Sequence, residues 1–199
     1  MATTSNYQWV TPELGDRPNV PQYLKSLANQ IDASLKSQDT ILKAQIATAL
    51  SLSASPTCRV RRVTSQTIAS QAEPMTGIAF TSEDFDADRW HSTSSYPTRI
   101  TPDLPGLYMV ATTVEFMPNG VGARSVRIGV NGLTIPQGLS QVTSQAVTTG
   151  VPTNVSTSAV VVLNGTTDFI EIGVSQTSGG DLITGEYNGC WCTVTRIGA

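Results

Sequence analysis

The chemistry open to this chain is narrow, because His91 is the single histidine among 199 residues. One imidazole cannot build a multi-histidine metal centre, and a hydrolytic role would require it to meet a serine and a carboxylate. No Gly-x-Ser-x-Gly elbow accompanies it, and His91 follows Trp90 in a stretch rich in serine and threonine. No catalytic residue is therefore assigned and no enzyme activity is expected. Glu83, Asp84, Asp86 and Asp88 form the one acidic cluster. Alternate carboxylates can converge on calcium, yet the calcium-loop pattern wants glycine sixth and glutamate twelfth, where Arg89 and Ser95 stand. A solvated loop is the expectation, with a structural cation as the alternative; no metal and no cofactor are assigned.

Cys58, Cys190 and Cys192 make an odd number of thiols, and the last two point to one side of a strand. Such neighbours rarely meet the geometry of a disulfide, and zinc would lack a fourth ligand, so buried free thiols are expected. Arg59, Arg61 and Arg62 read either as a charged edge that discourages sheet pairing or as a contact for an acidic neighbour subunit. Trp90, His91 and Tyr96 are the candidate ligand face, of the kind that meets a host-surface glycan on an exposed loop.

The elements that must position these groups change period at Pro56. Before it, Leu24, Ala28, Ile31, Leu35, Gln38, Leu42, Gln45, Ala49 and Leu52 recur at alternating spacings of four and three, a heptad seam with two polar layers. The spacing predicts an α-helical coiled-coil stalk over 23–55. An eleven-residue repeat through Leu24, Leu35 and Ile46 fits the same stretch, which leaves the handedness open. A helix with one apolar seam cannot bury it alone, so identical partners are implied. Residues 1–22 hold Pro12, Gly15, Pro18 and Pro21, which obstruct helix and sheet and predict an extended arm. Tyr7, Trp9, Val10 and Leu14 are its candidate docking anchors, since aromatic side chains lead at interfaces.

From residue 56 to 199 the apolar residues alternate. Tyr108, Val110, Thr112, Val114 and Phe116 share one side of a strand, and Val126, Ile128 and Val130 share one side of the next. Asn131-Gly132 predicts a tight hairpin, and Asn164-Gly165 predicts a second one between the run ending at Leu163 and the strand with Ile170, Ile172 and Val174. Residues 137–157 are expected to form an exposed loop or an edge. Eight to ten antiparallel strands in a sandwich are expected, so the fold class is mainly β.

Composition excludes several partners. Charged residues are 14% of the chain and the net charge is -3, which offers no general attraction for nucleic acid or anionic lipid. No apolar run is long enough to span a bilayer, and the first residues lack a signal-peptide pattern, so membrane insertion is not expected and the chain is expected to stay in the cytosol that makes it.

The segment Leu104-Pro105-Gly106-Leu107-Tyr108-Met109-Val110, with Ile78-Ala79-Phe80 before it, Val126 to Gly132 after it and the closing strand Cys190 to Ile197, resembles the C1q and tumour-necrosis-factor-like jelly roll. The resemblance implies a ten-stranded sandwich that forms compact homotrimers, with strand faces packed around a threefold axis. Tyr7-Gln8-Trp9-Val10-Thr11-Pro12, then Gly15-Asp16 and the helix containing Leu27 to Asp32, resembles the start of virion proteins of actinobacterial phages, the minor tail proteins or head fibres. That likeness implies a homotrimeric virion protein, attached through its arm to a capsid or tail protein, as a head fibre, capsid decoration or tail fibre.

Overall fold

The computed structural model describes residues 2–3, 10–11, 22–53, 56–134, 138–148, 150–186 and 189–198. Tyr7, Trp9 and Leu14 of the expected docking arm lie outside the described residues, and Val10, Ala49 and Leu52 are described as backbone only. Two compact units divide the chain, Met1–Ala54 and Ser55–Ala199.

In the first unit, β1 (Ala2–Thr3) and β2 (Val10–Thr11) pair antiparallel, Ala2 opposite Thr11 and Thr3 opposite Val10. The arm is therefore not wholly without sheet. Its prolines begin at Pro12, so they leave the amides of Thr3 and Val10 available to a ladder. Helix α1 (Gln22–Ser53) runs for 32 residues, about 48 Å at 1.5 Å per residue. No glycine or proline interrupts it. Among its local contacts, Lys43 Nζ lies 2.7 Å from Asp39 Oδ2 one turn back, an exposed pair worth about 0.3 kcal/mol.

The second unit contains, in order, β3 (Thr57–Arg61), β4 (Thr67–Ile68), β5 (Gln71–Gly77), β6 (Ser82–Asp86), β7 (Arg99–Ile100), β8 (Pro105–Phe116), β9 (Ala123–Val130), β10 (Gly138–Gln145), β11 (Thr153–Asn164), β12 (Ile170–Gln176), β13 (Leu182–Ile183) and β14 (Cys190–Gly198). That is more than the eight to ten strands expected, because β4, β7 and β13 are two-residue ladders too short to leave a periodic signal. A four-stranded sheet in the order β10-β9-β12-β7 faces a five-stranded sheet in the order β11-β8-β14-β3-β6. The core lies between them. Val60, Tyr108, Val110, Val114, Phe116 and Val194 fill it from one sheet, and Val126, Ile128, Ile170, Ile172 and Val174 from the other, each fully buried.

Both turn expectations need correction. Val130 ends β9 and Gly138 begins β10, so Asn131-Gly132 opens a longer connection instead of a two-residue hairpin, although both residues hold the positive φ that the pair favours, 61° and 134°. Asn164-Gly165 does not join a hairpin at all. β11 pairs with β8 and β12 with β9, so the connection crosses from one sheet to the other. Asn164 builds it locally: its Oδ1 accepts hydrogen bonds from the amides of Thr166, Thr167 and Asp168 at 2.9–3.1 Å. Within the stretch 137–157, β10 is the edge strand of its sheet, while Thr153 to Thr157 already belong to β11.

Gly106, the second residue of β8, sits where only glycine fits. Its φ is 149°, and a Cβ there would sit 2.3 Å from the carbonyl oxygen of Gly198 and 3.0 Å from Arg196 Nε. Backbone cannot yield as a side chain tip does, so Gly106→Ala is expected to cost about 2 kcal/mol or more, read as a lowered urea midpoint with an unchanged slope. A parent-like midpoint would show that the last strand is free to move away.

Candidate functional site

Three surfaces stand out, and the first is the helix. Leu24, Leu27, Ile31, Leu35, Leu42 and Ile46 are between 38% and 55% exposed, and Gln38 and Gln45 are exposed as well. Such a row of half-bare leucine and isoleucine side chains on one helix has no benefit for a lone chain, since each forfeits about 2 kcal/mol of possible burial. Ala28 is more shielded and Asp32 is buried.

The second surface is the outer face of the five-stranded sheet, which periodicity alone did not single out. Leu107 stands opposite Val162, and Met109 stands between Val160 and Thr195. Their exposures run from 38% for Leu107 to 72% for Val162, and Ile197 nearby is half-exposed. The same strands bury Tyr108, Val110, Val161 and Leu163 on the inner face, so both faces of this region are apolar. A contiguous apolar patch on a sheet marks an interaction site more often than an accident of composition. The signal was present in the unbroken run Val160-Val161-Val162-Leu163, which reads as a strand wanted on both sides.

The third is a cleft of about 370 Å³ that brings together Trp90, His91 and Tyr96. They do not play equal parts. Trp90 is 3% exposed; its indole Nε1 donates to Asp103 Oδ1 at 3.0 Å and its ring meets Tyr108 edge-on at 5.6 Å. His91 is buried, with Nδ1 2.8 Å from Glu83 Oε1 and Nε2 3.1 Å from the Pro97 carbonyl oxygen. Both ring nitrogens face acceptors inside the chain, so neither is offered to a substrate. Tyr96 alone of the three is exposed, in a left-handed backbone conformation with φ 52°. Arg99 and Phe169 complete the cleft: the Arg99 guanidinium lies 4.7 Å from the Tyr96 ring centre and 4.1 Å from that of Phe169. Phe169 arrives from the connection before β12, so no spacing in the sequence could have paired it with Tyr96.

Most of the charged groups that the sequence singled out are engaged within the chain. Three members of the acidic cluster are not in a loop, since Glu83, Asp84 and Asp86 lie on β6, while Asp88 is exposed in the turn that follows. Glu83 holds His91, Asp84 meets Arg59 at 3.3 Å and Arg61 at 2.6 Å, and the Asp86 carboxylate accepts the amides of Trp90 and His91 at 2.9 Å each. Among the described residues no group of His, Cys, Asp and Glu is placed to hold a metal ion. The arginine stripe is not an edge, because β3 lies between β14 and β6. Arg59 also stacks over Trp191 at 4.9 Å, and Arg62 donates to the Ala79 and Ser65 carbonyls at 2.5 and 2.9 Å. Arg127 is buried against Gln141, the Leu133 carbonyl and Glu73, with Gly173 leaving the space that Leu133 fills.

Cys58, Cys190 and Cys192 are free and buried. Burial raises all three thiols above their ordinary range, and the Asp86 carboxylate adds to the effect on Cys58. A folded value above the unfolded one favours the fold fully below the unfolded value, and that advantage is lost as pH rises past about 8.5. A thiol reagent is expected to find no cysteine in the native protein and three per chain after unfolding, and the melting temperature is expected to fall from about pH 8 to about pH 10. Rapid labelling of the native protein would contradict the packing of β14.

No family model matches the sequence and no curated protein matches it. Solved structures do. The Eiger TNF of S. frugiperda matches with a TM-score of 0.51 at 12% identity, covering 72% of this chain and 92% of that one. Murine APRIL at pH 5.0 matches with a TM-score of 0.53 at 10% identity, over 72% of this chain and 99% of that one. Murine APRIL at pH 8.5 gives 0.53 at 11% identity, with coverages of 72% and 98%. At such identities the likeness shows the fold: an antiparallel, tumour-necrosis-factor-like jelly roll.

Proposed function

We propose that the chain is a homotrimeric structural protein of a phage particle. Residues 1–22 dock it to a capsid or tail protein, 23–55 form a three-helix stalk, and 56–199 form the jelly-roll head. The observation that carries this reading is the helix seam, half-exposed over a 32-residue helix that would be marginal in water without a mate. The apolar outer face of the β11-β8-β14 region supports it, because the threefold packing implied for this jelly roll needs a sheet face free of charge. Leu107, Met109, Val160 and Val162 supply one. Mass measurement of the purified chain at micromolar concentration tests the reading: three times the chain mass of 21.1 kDa is expected, and a monomer would overturn it. Removal of residues 1–22 is expected to leave trimers that no longer join particles.

A second reading, a carbohydrate-binding jelly-roll module or receptor-binding tail protein, is favoured by the cleft at Tyr96. Its exposed aromatic ring and stacked arginine are not needed by the core.

A further inference from the structure

We propose that the cleft binds a pyranose that carries a carboxylate, with Arg99 as the anion clamp and Tyr96 as the stacking surface; this rests on the sugar-binding reading and names its ligand class. The cleft is lined by Arg89, Ser95, Tyr96, Arg99, Thr101 and Phe169, among others, and its volume of about 370 Å³ is at the small end for a ligand site. Arg99 is the centre of the argument. Its guanidinium carbon lies over the rings of both Tyr96 and Phe169, and its Nε lies 3.4 Å from Glu171 Oε1, which also accepts the Thr98 hydroxyl at 2.9 Å. Those contacts hold the guanidinium in the cleft and leave its two terminal nitrogens without a hydrogen-bonding partner among the described residues. A planar, pre-oriented fork with two free donors is the group that grips a carboxylate through both oxygens.

Charge points the same way. The carboxylates that touch the lining are each engaged by a donor of this chain: Glu83 by His91, Asp86 by two backbone amides, Asp103 by the Trp90 indole and Glu171 by Thr98 and Arg99. Arg89, exposed and with no ion pair among the described residues, remains as a second cation at the rim. Tyr96 and Arg89 are two of the three non-glycine residues with positive φ among the described residues, at 52° and 59°. That conformation costs free energy and holds their side chains at the cleft. The open ring of Tyr96, 67% exposed, suits the apolar face of a sugar ring, while the hydroxyls of Ser95 and Thr101 suit its hydroxyl groups. An extended anionic polymer would want a longer basic track than this one cleft provides.

The test titrates the full chain with methyl β-D-glucuronide, methyl β-D-glucoside and acetate, following binding by calorimetry or by ligand-observed NMR. The glucuronide is expected to bind at least about tenfold more tightly than either of the others. Arg99→Lys, which keeps the charge and loses the fork, is expected to weaken it by about tenfold. Tyr96→Gly, which suits the left-handed turn and removes the ring, is expected to do the same with an unchanged melting temperature. Glucoside binding equal to glucuronide would overturn the carboxylate assignment while leaving sugar binding in place. Acetate equal to glucuronide would overturn the pyranose part. No response to any probe at concentrations on the order of ten millimolar would overturn both the inference and the reading beneath it. Unchanged affinity in Arg99→Lys would place the ligand elsewhere.

Discussion

Replacing Ile31 and Leu35 together by aspartate is expected to convert the proposed trimer into a monomer at micromolar concentration while the β unit stays folded. Ile31 and Leu35 are 44% and 38% exposed on α1, one turn apart on the same stripe. In a three-helix seam each would gain about 2 kcal/mol from burial, and every substitution is repeated in three chains. A carboxylate in that seam reverses the sign, because three like charges would meet in one layer away from water. The buried cluster of the sandwich runs from Cys58 to Val194. Sedimentation would report the mass, and the near-ultraviolet circular dichroism of Trp90 and Tyr108 would report the core. A variant that stays trimeric would show that the sheet face, with Leu107, Met109, Val160 and Val162, holds the assembly without the helix.

Tyr108→Ala carries the second large effect, on stability. Tyr108 is fully buried at the middle of the core, donates its hydroxyl hydrogen to the Leu104 carbonyl at 2.6 Å and meets the Trp90 ring at an interplanar angle of 73°. Loss of a large aromatic side chain from such a site costs about 3–5 kcal/mol, a large share of the roughly 5–15 kcal/mol that holds a domain together. A fall in melting temperature on the order of 10 °C follows. Tyr108→Phe separates the contributions: it keeps the ring and leaves the Leu104 carbonyl without its donor, for about 1 kcal/mol. If the alanine variant melted with the parent, the wall that Trp90 and Tyr108 form behind the Tyr96 cleft would not be packed as described.

Much of this was legible from the residues. The helix over Gln22–Ser53 was readable because a stripe at spacings of three and four depends on residues within a turn of one another. The buried faces of β8, β9, β12 and β14 were readable for the same reason, since alternation is a property of neighbours: Tyr108, Val110, Val114 and Phe116 are buried as the pattern requires. The cysteines were readable from their parity, and the sandwich from the count of turns. The sequence also carried both asparagine-glycine pairs, and there the local signal misled. Positive φ is a requirement of many loops besides the hairpin, and Asn164 spends its side chain on a connection between sheets.

The sequence by itself determined the helix, the alternating core strands, the free thiols and the absence of a second histidine, because each depends on identity or on spacing along the chain. Only the tertiary structure decided that β11 lies beside β8, that Glu83, Asp84 and Asp86 are spent on His91, Arg59, Arg61 and backbone amides, and that Arg99 meets the rings of both Tyr96 and Phe169. The physical reason is the same in each case. Strand order and side-chain meetings are set by which distant segments bury the most apolar area together, and no local periodicity encodes that choice.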